Sequence, residues 1–75
     1  MNNIAKWLIE KGFDFRTVTM TDGKRGLMVD TDYEGPHPTK ECLEKQEAIM
    51  QKVKRMKSLS AERRGHYTAV LILEA

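Results

Sequence analysis

Cys42 is the only cysteine in a chain of 75 residues, so no intrachain disulfide can hold this fold together. No Cys/His spacing offers a structural metal in its place. A chain of this length buries only about 60% of its unfolded surface, and its core is correspondingly thin. Stability must therefore come from packing, completed where needed by a partner chain. With 40% apolar and 32% charged residues, the composition is that of a globular protein and not of a disordered tail. One small α/β domain over residues 1–75 is the expected organisation.

Local patterns give the elements. Asn2 and Asn3 suit the cap of a short helix carrying Ile4, Ala5, Trp7 and Leu8 on one side and ending at Lys11-Gly12. Phe13–Met20 reads as a strand whose alternation slips near Arg16-Thr17, through a bulge or a start later than Phe13. Thr21-Asp22-Gly23-Lys24 is a tight hairpin turn, because Asp-Gly accepts φ > 0. Gly26–Thr31 returns as a second strand, and Asp32–Pro38 is a stiff, turn-rich connection. Thr39 then caps a helix reaching about Lys57 or Ser58, on which Cys42, Gln46, Ile49, Val53 and Met56 form one stripe. Ser60–Gly65 reads as a turn or a short extra helical turn. His66–Leu73 is the strongest strand, with Tyr67, Ala69, Leu71 and Leu73 on one face and Thr68, Val70 and Ile72 on the other.

These elements predict an α+β fold, a two-layer domain of order α-β-β-α-β. Its three-stranded mixed sheet has order 2-1-3, with the last strand beside the first and parallel to the second, and both helices on one face. The sequence shows no internal repeat. One conflict remains: a last strand apolar on both faces belongs in a covered position, and two helices cover only one face. A homodimer or partner protein that covers the open face, or that pairs with the last strand, meets the need. Tyr67, Val70 and Ile72 are the interface residues this expectation names.

Charge is segregated along the chain. Residues 1–50 hold seven Lys/Arg and nine Asp/Glu, a net of 7 − 9 = −2, while residues 51–75 hold six and two, a net of +4. Lys45, Lys52 and Arg55 share one flank of the long helix, and Arg63-Arg64 follow in the expected turn, a set that could hold phosphates. The helix dipole offers a competing cause, since Glu41, Glu44 and Glu47 open the helix and bases close it. That accounts for the helical bases but not for Arg63-Arg64. No aromatic residue lies between Tyr33 and Tyr67, so a stacking platform within this stretch lacks support.

Reaction chemistry is thinly represented. Asp30, Asp32 and Glu34 alternate where the second strand ends, with His37 behind, but their spacing matches no known cation loop and suits a solvated strand end. Cys42 falls in the first turn of the helix and also on its apolar stripe, where a cysteine packs as a small hydrophobe. His66 starts the last strand as a surface group. Gly23 and Gly26 flank Lys24-Arg25 inside a hairpin, not between a strand and a helix as a phosphate loop requires. No enzyme, metal or cofactor is expected. Residues 1–10 carry Lys6 and Glu10 and do not read as a signal peptide. The longest apolar run, Ala69–Leu73, is far short of the roughly 20 residues that span a bilayer. The expected compartment is the cytoplasm, with no membrane partner.

The leading expectation is a small non-enzymatic interaction or accessory module that works by protein contact and self-associates. The alternative is a nucleic-acid-binding accessory protein that contacts phosphates through residues 52–64.

Overall fold

The hydrogen bonds that end the first helix set the direction in which the chain enters its sheet. A computed structural model describes residues 2–31, 37–65 and 69–74, and α1 spans Asn2–Glu10. Ile4 and Leu8 lie one turn apart on the same side of α1, and both are fully buried. The chain leaves through Gly12 at φ 79°. Gly12 N donates to Ile9 O at 3.0 Å and Phe13 N to Leu8 O at 2.9 Å. This is a Schellman exit, which needs a residue without Cβ in the left-handed region. It turns Phe13 back against Trp7, with ring centroids 5.9 Å apart.

β1 (Phe15–Thr19) and β2 (Arg25–Asp30) form an antiparallel hairpin with continuous register from Phe15↔Val29 to Thr19↔Arg25. The slip read near Arg16-Thr17 is thus a late strand start and not a bulge. Gly23 occupies the turn at φ 86°, Met20 N donates to Lys24 O at 2.8 Å, and Lys24 N donates to Asp22 Oδ1 at 3.0 Å. Thr39 caps α2 (Lys40–Lys54): its Oγ1 accepts from Cys42 N at 3.1 Å. Cys42, Gln46, Ile49 and Val53 are the buried stripe of α2. The helix stops at Arg55, earlier than Lys57, as Met56 N bonds back to Val53 O at 2.8 Å.

The expected sheet needs correction. Leu59–Arg64 is a strand, β3, and not a turn, and it pairs along its length with β4 (Ala69–Glu74), from Leu59↔Glu74 to Arg64↔Ala69. Among the described residues the sheet has four strands in order β1-β2-β4-β3, all antiparallel, and not three in order 2-1-3. The last strand lies beside β2 and antiparallel to it. A central position leaves β4 no free edge, since strands flank it on both sides, and it cannot pair with a second copy of itself. The element order is α-β-β-α-β-β. One helix–hairpin unit therefore occurs twice, docked along second strands β2 and β4, although the sequence shows no repeat.

Both helices cover the same face of the sheet. Ile4 and Leu8 from α1 and Ile49 and Val53 from α2 form one buried cluster with Leu27, Val29, Val70 and Ile72. Register puts the partners Leu27↔Ile72 and Val29↔Val70 side by side on this inner face. Val70 and Ile72 are each 0% exposed, so the two residues expected at an interface are taken up by the chain's own core. Among the described residues, no helix is long and apolar enough to cross a membrane.

Candidate interaction surfaces

The outer face of the sheet carries the residues that alternate with the core. Register aligns two rows across the strands: Arg16, Met28, Leu71 and Glu62 in one, Val18, Gly26, Leu73 and Ser60 in the next. Val18, Met28 and Leu73 are half-buried, and Leu71 is buried. The glycine in the second row has a packing reason. A Cβ on Gly26 would lie 2.8 Å from Leu73 Cδ2, 2.9 Å from the carbonyl oxygen of Ile72 and 3.1 Å from Val18 Cγ2. Leu73 and Val18 therefore close over this position, giving the outer face an apolar centre. Its first row ends in a cation on β1 and an anion on β3, at opposite edges.

The basic residues expected to act together are dispersed. In an extended strand neighbouring side chains point to opposite faces, so Arg63 lies on the inner face with Ala61 and Arg64 on the outer face with Glu62. Arg63 Nε donates to Gln46 Oε1 at 3.0 Å, and its guanidinium reaches Glu47 at 3.4 Å. Arg64 pairs with Glu62 at 2.7 Å. The two arginines do not form one phosphate-straddling loop, because they belong to a strand. Lys45, Lys52 and Arg55 remain together on α2 and its C-cap, with Lys45 and Lys52 half-buried and Arg55 exposed.

The stripe on α2 that carries Cys42 ends in a polar network. Gln46 Nε2 donates to Thr31 Oγ1 at 3.2 Å and lies 3.4 Å from Cys42 Sγ, while Thr31 and Cys42 are 3.4 Å apart. Thr31 and Gln46 are 0% exposed and Cys42 1%. Among the described residues no buried side-chain N or O lacks a partner. With Arg63 bound to Gln46, the network ties the end of β2 and the edge strand β3 to α2. A thiol closed in this way packs and has no access to a substrate.

The acidic run does not gather. Asp30 and His37 are exposed, and Asp32 and Glu34 lie outside the described residues, as do Tyr67 and His66. Among the described residues no group of three His, Cys, Asp or Glu could hold a metal ion.

Two aromatic residues, one on α1 and one just after it, pack against the edge of the buried cluster. Trp7 and Phe13 stack on each other at the flank of α2, and Lys52 Nζ lies 5.8 Å from the Trp7 ring centroid. Beside them a groove of about 340 Å³ is lined by Trp7, Lys11, Gly12, Phe13, Lys45 and Ala48. The one signal for it in the sequence is Lys11-Gly12, which predicts the turn that brings Phe13 back.

The chain matches no protein-family model, no curated protein and no solved structure.

Proposed function

We propose that this chain is a small non-enzymatic interaction module that pairs with a second copy of itself through the outer face of its sheet. The observation that carries this reading is the row Arg16–Met28–Leu71–Glu62. An apolar centre bounded by polar ends is the anatomy of a protein interface. Arg16 stands at one end and the Arg64–Glu62 pair at the other, so the surface is complementary to itself when Glu62 is shared between its own Arg64 and Arg16 of the second copy. A twofold axis running along the strands sets β1 of one copy over β3 of the other, so that Arg16 faces Glu62 of the second copy. Two sheets packed in this way keep their strands within about 30° of each other. Burial of the half-exposed Val18, Met28 and Leu73 adds to a core that is thin in a chain of this size.

Sedimentation velocity on wild type, Met28→Glu, Arg16→Glu and the double variant Arg16→Glu/Glu62→Arg tests this. The wild type is expected to run as a dimer and Met28→Glu as a monomer with an unchanged circular dichroism spectrum. Arg16→Glu alone weakens the dimer, and the double variant restores it. A monomeric wild type at about 100 µM, where even a weak micromolar dimer is populated, contradicts the proposal.

A further inference from the structure

We infer that the sheet edge formed by β1 is a docking site for an extended segment of another protein, one that presents apolar residues toward α1 and carboxylates beside Lys24 and Arg25. The sheet has two edges, β1 and β3, and they are finished differently. β3 carries Glu62, Arg63 and Arg64, the kind of charge that keeps an edge from pairing. Arg63 also closes the inner side of β3 onto α2 through Gln46 and Glu47. β1 reads Phe-Arg-Thr-Val-Thr, with one charge, no proline and no bulge in its register. Among the described residues no strand pairs with its far side. Such an edge is a template for an added strand. The site does not use the outer face of the sheet, so it stands or falls separately from the dimer.

The phase of the ladder fixes which backbone groups are offered. Asp30 N donates to Asp14 O at 2.9 Å and Met20 N to Lys24 O at 2.8 Å. Bonded and non-bonded pairs alternate in an antiparallel ladder. Arg16 and Val18 therefore bond to β2, while Phe15, Thr17 and Thr19 turn their N–H and C=O groups to the edge. The side chains of the same three residues face inward, with their register partners Val29, Leu27 and Arg25. They border a groove of about 390 Å³ that Leu27 floors and that α1 walls with Asn2 and Ala5. Asn2, Ala5 and Ile9 follow at spacings of three and four residues along one flank of α1, and Trp7 faces α2 from the other flank. Among the described residues Ile9 and Leu43 are the large apolar side chains left exposed, and Ile9 is the more exposed at 67%. A strand added to β1 brings its inward side chains beneath this flank and covers Ile9.

The surroundings of the edge state the chemistry of its occupant. Ala5, Ile9, Phe15 and Leu27 match apolar side chains at alternate positions of the incoming strand. A second copy of β1 would bring two threonines there, Thr17 and Thr19, beside a single phenylalanine. Lys24 and Arg25 stand at the hairpin end of the edge, both exposed and, among the described residues, in no ion pair. Asp22 beside them accepts from the Lys24 N–H, and Glu74 lines the groove from β4, beyond β2. Asp14 marks the opposite end of the edge, which places acidic residues of the partner by the hairpin. Opposite charges across a ladder favour pairing.

Amide hydrogen exchange reads the edge residue by residue. In the protein alone, the amides of Arg16 and Val18 are expected to exchange slowly and those of Thr17 and Thr19 fast. The probe is a short peptide of alternating valine and threonine with a pair of glutamates at its N-terminus. In the antiparallel pairing used throughout this sheet, those glutamates reach the hairpin. Binding is expected to saturate below about 1 mM peptide and to slow exchange at Thr17 and Thr19. A peptide with lysines in place of the glutamates is expected to bind about fivefold more weakly. Thr17→Pro removes an edge N–H and spares the β1–β2 ladder, and is expected to lower affinity about tenfold with circular dichroism unchanged. Lys24→Glu/Arg25→Glu is expected to reverse the preference between the two peptides, a readout that holds even if Thr17→Pro does not fold. No saturable binding at about 1 mM, or binding that leaves Thr17 and Thr19 unchanged, overturns the inference. Equal binding of the lysine peptide overturns the acidic partner. Slow exchange at Thr17 in the protein alone, deepening with protein concentration, gives the edge to a second copy and overturns the inference as well. None of these readouts depends on the outer sheet face, whose own test is the sedimentation of Met28→Glu.

Discussion

Arg63 on the edge strand donates from Nε to Oε1 of Gln46 on α2 at 3.0 Å, and that acceptor residue is 0% exposed. Its neighbour Arg64 faces the other way and pairs with Glu62, both side chains being about half exposed at 47% and 51%. Adjacent residues of one type therefore do different work. Arg63→Ala removes a donor from a buried carbonyl and is expected to cost about 1–3 kcal/mol. Arg64→Ala breaks a surface pair worth about 0–1 kcal/mol. Urea melts of the two variants side by side check this, and equal losses would contradict it.

Gly26→Ala places a methyl group 2.9 Å from the backbone oxygen of Ile72, which is held in the β2–β4 ladder. Leu73 and Val18 can shift, but that carbonyl cannot. The expected loss is about 1–3 kcal/mol, the usual range for overpacking. Denaturation midpoints measure it, and a neutral result would mean that the central pair of strands yields.

Cys42 is 1% exposed beneath the start of α2. Its reaction with a disulfide reagent must wait for local or global opening. Labelling of the native protein is expected to be slower than that of the urea-unfolded chain by on the order of a hundredfold or more. Rapid native labelling would show that the first turn of α2 frays.

Much of the fold is legible in the sequence because its causes are local. Asp22-Gly23 dictates the hairpin, Thr39 dictates the start of α2, and the spacing of Cys42, Gln46, Ile49 and Val53 dictates its buried face. β3 is not legible. Leu59–Arg64 ends in Glu62, Arg63 and Arg64, and only pairing with β4 along its whole length makes a strand of it. Charges on an edge strand are also what protects such an edge from pairing with another chain. Without β3, β4 loses its place at the centre of the sheet, and Val70 and Ile72 then look like interface residues instead of core. The α1–α2 groove is hidden for the same reason. Trp7 and Phe13 meet Lys45 and Lys52 only in three dimensions.

Substitutions in the α1–α2 groove are expected to leave self-association unchanged, since the groove and the outer sheet face lie on opposite layers. Lys45→Gln/Lys52→Gln should sediment as the wild type does at every concentration. A change in its association state would mean that the two surfaces are one.

The central claim, self-association through the outer sheet face, is tested most directly by methionine methyl NMR on dilution. Met28 lies on the outer face, whereas Met50 and Met56 pack against the helix-covered core. Across a dilution of about a hundredfold through the dimer dissociation constant, the Met28 methyl resonance is predicted to move while those of Met50 and Met56 stay fixed. Movement of Met50 or Met56 with Met28 unchanged, or no movement of any, would contradict it.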